Sequence, residues 1–213
     1  NGRTVLYEAA NNPESLKLIL SLYPNDDARL AVVNLKDRNG QTVLYEAINN
    51  PESLKFILSL YPSDETRFIA VSSIDDNGET VLCWRVVHKP ECLKAILSTF
   101  SDDRIKFAVV SLKNDGDQTV FHRSTWLPEC LEAILSEFSN DEIKLALVCS
   151  KDNSCRINFY SNRYNLNCLK VILSTFSDDK TKLIAAGLKN YNFSKTFARR
   201  IANDFEALKV ILV

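Results

Sequence analysis

The chain of 213 residues contains no methionine, five glycines, two histidines and two tryptophans. Three of the glycines, Gly2, Gly40 and Gly78, stand in Asn-Gly turns, which leaves too few for a loop that wraps a phosphate. The patterns G-x-x-x-x-G-K-[ST], G-x-G-x-x-G, H-E-x-x-H and G-x-S-x-G are all missing. No apolar run approaches the roughly 18 residues that cross a bilayer as a helix, so no membrane insertion is expected. An excess of either charge is missing too: 26 basic residues face 27 acidic ones, for a net charge of −1. That balance exerts no global pull on nucleic acid or anionic membrane, and neither is expected as a partner. The chain starts inside a repeat at Asn1-Gly2 and stops at Val213 just after a helical L-K-x-I-L, so it reads as an excised piece of something longer.

The six cysteines form neither a CxxC pair nor a cluster with metal-ligand spacing, so no metal and no cofactor is expected. Cys92, Cys130 and Cys168 share one repeat position, held by Ser15 and Ser53 earlier and Ala207 later. Equivalent atoms of stacked helices lie roughly 10 Å apart, beyond the reach of about 7 Å that a disulfide allows between Cα atoms. A slot shared by Ser, Cys and Ala asks for a small buried residue. Free thiols suit a reducing compartment, which favours a cytoplasmic location.

What is present is repetition. The leucine of an L-K/E-x-I-L core recurs at Leu16, Leu54, Leu93, Leu131, Leu169 and Leu208, at intervals of 38, 39, 38, 38 and 39. A period of this size marks a solenoid, whose units bury their apolar faces against their neighbours. The expected organisation is a single array over residues 1–213, with repeats near 1–38, 39–76, 77–115, 116–153, 154–191 and a truncated 192–213. In the second repeat, Asp37-Arg38-Asn39-Gly40 signals a tight turn. Thr42 is expected to cap a short helix from Val43 to Asn49. Asn50-Pro51 opens a second helix whose stripe is Leu54, Ile57, Leu58 and Tyr61. Ser63-Asp64-Glu65 opens a third, with Phe68, Ile69 and Val71 as its apolar residues.

The plan recurs with drift. Pro13, Pro51, Pro90 and Pro128 open the second helix in repeats one to four. Tyr23, Tyr61, Phe100, Phe138 and Phe176 close it. Ser63, Ser101, Ser139 and Ser177 are the expected caps of the third helix. Repeat three carries one extra residue between Thr80 and Pro90.

The wording G-x-T-V-L-Y-E-A followed by N-N-P-E-S-L-K-F-I-L resembles the ankyrin repeat, with its G-x-T-P-L-H-x-A and a second helix ending in leucines. Val5 and Tyr7, and again Val43 and Tyr45, stand where the family has Pro and His. The period exceeds the usual figure of about 33 residues, and the extra length is read as converting the β-hairpin loop into the third helix. The resemblance implies an all-α, ankyrin-like α-solenoid of about six stacked repeats, each enlarged to three helices. Copies worded N-P-E-S-L-K also resemble repeats of effector proteins of intracellular bacterial pathogens. That likeness implies secretion into a host cell's cytosol and binding of a host protein.

Catalysis has little support. His88 and His122 lie in neighbouring repeats at unequal positions. Cys83 and His122 would sit roughly 10 Å apart along a stack, too far for a nucleophile and its base unless their side chains lean together. The recurrent acid pairs Asp26-Asp27, Asp102-Asp103 and Asp178-Asp179 all open third helices, where the helix dipole accounts for them. No enzyme is expected.

One asymmetry points to binding. First-helix windows 80–90, 118–128, 154–166 and 194–203 hold Arg85, Lys89, Arg123, Arg156, Arg163, Lys195, Arg199 and Arg200 with no acid, whereas repeats one and two place Glu8 and Glu46 there. In ankyrin-like stacking these helices line the concave face. Trp84, Arg85, His122, Arg123, Trp126, Tyr160, Arg163, Arg199 and Arg200 are therefore the candidate partner-binding residues, since Arg, Trp and Tyr dominate interface energetics. The expectation is a monomeric protein–protein interaction module for a partner with an acidic surface. The alternative is the regulatory or targeting arm of an enzyme whose catalytic domain lies outside this sequence.

Overall fold

In a computed structural model of the chain, the residues described are 3–82, 85–114, 118–149, 166–178 and 185. The chain divides into two compact units, Asn1–Val120 and Phe121–Val213. Among the described residues every regular element is a helix, and β-structure is confined to the isolated bridges Ile74–Thr80 and Lys113–Thr119.

The first unit writes the repeat out twice in full. Repeat one folds as α1 (Val5–Ala9), α2 (Pro13–Ser21) and α3 (Asp26–Val33), and repeat two as α4 (Val43–Ala47), α5 (Pro51–Ser59) and α6 (Asp64–Ser72). Proline stands at the first position of α2 and α5, where its missing N–H leaves no donor unsatisfied. The preceding asparagine is the cap: Asn12 Oδ1 accepts from Ser15 N at 3.0 Å, and Asn50 Oδ1 from Glu52 N and Ser53 N, both at 3.0 Å. Burial follows the helical stripe, with Leu54, Ile57, Leu58 and Tyr61 all inside. Each aliphatic side chain so buried contributes about 1.5–3 kcal/mol. Helix α2 packs on α5 and α1 on α4, so each repeat covers the next.

Repeat three keeps α7 (Pro90–Leu97) and α8 (Asp103–Val110), but its first helix is cut to a 3-10 turn over Val86–His88. Lys89 N closes that turn on Val86 O at 2.9 Å. The extra residue ahead of Pro90 is absorbed here, where the proline bars the helix from running on. Helix α5 packs on α7 and α6 on α8. The next first helix is α9 (Val120–Ser124). The second unit then contains α10 (Pro128–Leu135), α11 (Asp141–Val148) and α12 (Leu166–Ser174), with α10 packed on α12. Pro90 and Pro128 open α7 and α10 as their sequence positions predict. Phe100, Phe138 and Phe176 are buried like Tyr61, and Tyr23 is half-buried.

The structure corrects the reading of the third helix. The turn is not converted into it. The helix is inserted ahead of a turn that survives: Asp37 N donates to Gln41 O at 2.8 Å and Gly40 N to Asp37 O at 3.1 Å, with Gly40 at φ 73°. Asp75 repeats the geometry, its N donating to Glu79 O at 2.9 Å and accepting Gly78 N on its own carbonyl at 3.0 Å. The caps also shift. Ser63 caps α6 in a capping box with Thr66, but Asn25 caps α3, Asp102 caps α8 and Asn140 caps α11, so Ser101 and Ser139 stand one residue outside. An Asp or Asn one position later offers an equally good acceptor. It frees Ser101, whose N and Oγ both donate to Asp64 Oδ2 of the preceding repeat at 3.0 and 2.8 Å. Ile69, one of the apolar residues of the third helix, is 67% exposed, because Ala70 and Val71 occupy the inward face of α6. Ser177 is the last expected cap, and the helix expected after it falls on residues 179–184, outside the described set.

Candidate functional site

In the first two repeats, the turns and first helices are joined by a ladder of polar contacts. Tyr7 Oη reaches Leu35 O at 3.1 Å and also Gln41 O, and Tyr45 Oη reaches Ser73 O at 2.7 Å and Glu79 O at 2.6 Å. The residue after each turn glycine then reaches the turn of the following repeat. Arg3 Nε pairs with Asp37 Oδ2 at 3.4 Å, Gln41 Nε2 donates to Asp75 Oδ2 at 2.8 Å, and Asn114 Nδ2 donates to Glu79 Oε1 at 2.8 Å. Donor and acceptor trade sides at the third rung and the bond is kept. Backbone joins the ladder as well, with Asp76 N donating to Asn39 O at 2.9 Å.

This ladder pairs one of the two acids of the asymmetry. Glu46 lies 3.6 Å from Arg3 Nη2, and the Arg3 guanidinium also sits 5.7 Å from the Tyr7 ring centroid. Burial, with the Asp37 carboxylate second, pushes the Tyr7 phenol up to about 12. These tyrosines were visible in the sequence only as departures from the family pattern. Their recurrence at one repeat position was the available signal.

The predicted site residues fall into three groups. Trp84, Tyr160, Arg163, Arg199 and Arg200 lie outside the described residues. In the first unit, Arg85 is exposed at the N-terminal end of the 3-10 turn, with His88 exposed at the other end. Lys89 of the same window is engaged, its Nζ donating to Asn49 Oδ1 of repeat two. In the second unit, His122, Arg123 and Trp126 come together at the end of α9. His122 occupies the slot of Tyr7 and Tyr45 and is half-buried, as is Arg123.

Trp126 is 52% exposed, which excludes a core role for it. Local chemistry holds it out. Ser124 and Thr125 are fully buried, their hydroxyls donating to Phe121 O at 2.8 Å and His122 O at 2.6 Å, and Leu127 N closes the turn on Ser124 O at 2.9 Å. With both preceding side chains turned inward and satisfied, about half of the Trp126 side chain stays exposed. Among the described residues Trp126 is the one exposed aromatic side chain.

Among the described residues no group of His, Cys, Asp and Glu could hold a metal ion, and no helix is long and apolar enough to cross a membrane. Cys92, Cys130 and Cys168 are buried free thiols. Burial raises the Cys92 thiol, and burial with the Glu129 carboxylate raises Cys168 to about 11. Cys83 and Cys155 lie outside the described residues.

No family model matches the chain, and no curated protein matches it. Among solved structures, it is similar to the ankyrin repeat domain of Bcl-3, described as a unique member of the IkappaB protein family. The match has a TM-score of 0.62 at 16% identity and covers 93% of this chain and 86% of that one. The fold is therefore that of an all-α ankyrin-repeat solenoid.

Proposed function

We propose that the chain is a protein–protein interaction module that binds an acidic protein surface through the basic and aromatic residues of its later first helices. The observation that carries the reading is Trp126, a large ring held in solvent by two satisfied buried hydroxyls beside Arg123 and His122. Isolated exposed apolar residues are common. A tryptophan next to arginine, on an element whose acids have been removed, matches the composition of binding hot spots. Repeat arrays offer an extended surface for such contacts, and the ankyrin-type fold supports a protein as the partner. The effector-like wording of repeats one and two supports a host protein as that partner, met in the host cytosol.

The test is charge reversal. Arg123→Glu combined with Arg199→Glu is expected to weaken association with a partner captured on the wild-type chain, leaving the thermal melt in place. Arg123 is half-buried, so the melt decides whether the loss of binding is read; Arg85→Glu, at an exposed position, is the second variant, where a charge change usually moves stability by less than about 0.5 kcal/mol. The affinity is also expected to fall with added salt, since exposed charges are screened beyond roughly 8–10 Å near physiological ionic strength. Reversing Arg104 and Lys106 on α8 is the control, and it should leave binding largely intact.

A further inference from the structure

The inserted third helices build a second candidate surface. Between α3 and α6 runs a groove of about 380 Å³, its lining including Leu30, Asn34, Lys36, Thr42, Tyr61 and Ile69, a size in the range of ligand pockets. Its upper wall is apolar and wet, with Ile69 67% exposed, and Leu35 and Ile74 flank it at 50% and 51% exposure. Its floor is polar. Tyr61 Oη donates to Asn34 Oδ1 at 2.7 Å, and Asn34 Nδ2 is taken by Leu30 O at 2.9 Å. Thr42 is 5% exposed, and its Oγ1 is buried with no hydrogen-bond partner, although Thr42 stands where a helix cap would use it. Thr4 Oγ1 at the same repeat position also has no partner, so the orphan hydroxyl belongs to the repeat.

Lys36 is the one charged side chain in the lining. Its Nζ donates to Ile74 O at 3.1 Å and keeps two further N–H donors at the rim. Insertions repeated in each unit of a solenoid fall on one face, often the binding face.

We infer that the α3–α6 groove is a docking site for an extended acidic peptide segment, an apolar side chain lying against Ile69 and Leu30 and a carboxylate meeting Lys36. The probe is acetyl-Ile-Leu-Asp-Asp, with acetyl-Ile-Leu-Lys-Lys as its charge-inverted control, each titrated into the whole chain and followed by amide NMR shifts. The expected result is shifts centred on Thr42, Thr66 and Ile69, with the acidic peptide bound more tightly by up to about fivefold, the upper range for one exposed ion pair. Ile69→Asp and Lys36→Glu, both at exposed positions, should each abolish that preference with the remaining spectrum intact. Arg123→Glu should leave it unchanged, which separates this surface from the one on α9. Equal binding of the two peptides, shifts elsewhere, or insensitivity to both groove variants would overturn the inference. So would concentration-dependent shifts of the same residues without peptide, which would assign the groove to a second copy of the chain.

Discussion

Tyr7 and Tyr45 show how a single side chain sets the repeat-to-repeat contact. Each stands where the ankyrin pattern has a histidine and carries its hydroxyl past the first helix to carbonyls 28 and 34 residues ahead. The substitution was legible in the sequence, but the reach was not, because the acceptors are backbone groups placed by the next repeat's turn. Removing the Tyr45 hydroxyl leaves Ser73 O without that donor. Tyr45→Phe is expected to cost about 1–2 kcal/mol in urea unfolding; an unchanged midpoint would show the bonds to be dispensable. Tyr7 and Tyr61 both titrate near 12 instead of the usual 10.0, chiefly through burial. A folded pKa raised this way means the native state holds protons that the unfolded state has released. The stability these phenols contribute is complete below pH about 10 and lost as pH rises toward about 12. A phenolate absorbance titration should therefore show Tyr7 and Tyr61 ionising late, and urea midpoints should fall through that window.

At the scale of elements, the proline-opened second helices and their buried stripes were plain from spacing, since proline and a 3.6-residue period each act locally. The third-helix caps were not. Ser, Asp and Asn compete for one role within three adjacent positions, and the winner depends on Asp64 of the preceding repeat, which recruits Ser101. Asp102→Ala should accordingly destabilise by about 0.5–2 kcal/mol, more than Ser101→Ala. The reverse order in thermal or urea melts would return the cap to serine. Gly40 tests the surviving turn. Its φ is +73°, and an added Cβ would lie 2.5 Å from Asp76 Oδ1 and 2.9 Å from Asp76 N, the donor to Asn39 O. Gly40→Ala is expected to cost more than the roughly 1–2 kcal/mol of the left-handed conformation alone, because it also parts two turns. A loss under about 1 kcal/mol would place the turns further apart than described.

Across the molecule, periodicity carried the fold and left the binding residues underdetermined. A 38-residue repeat of small, apolar and capping residues dictates stacking regardless of partner, whereas a proposed contact residue such as Trp126 breaks the repeat and has no internal copy to confirm it. The cysteine column follows the first kind of logic. Cys92, Cys130 and Cys168 should alkylate far more slowly in native protein than in urea, because burial raises Cys92 and Cys168 and hides all three sulfurs. Rapid native labelling of any one would contradict its packing. The proposed binding face follows the second kind, and Trp126 is its reporter. With the two indole N–H signals assigned through Trp126→Phe, a saturating amount of the captured partner should shift or broaden the Trp126 resonance. A Trp126 signal unmoved at saturation would contradict the account, because a ring held out for contact would then be untouched by the contact.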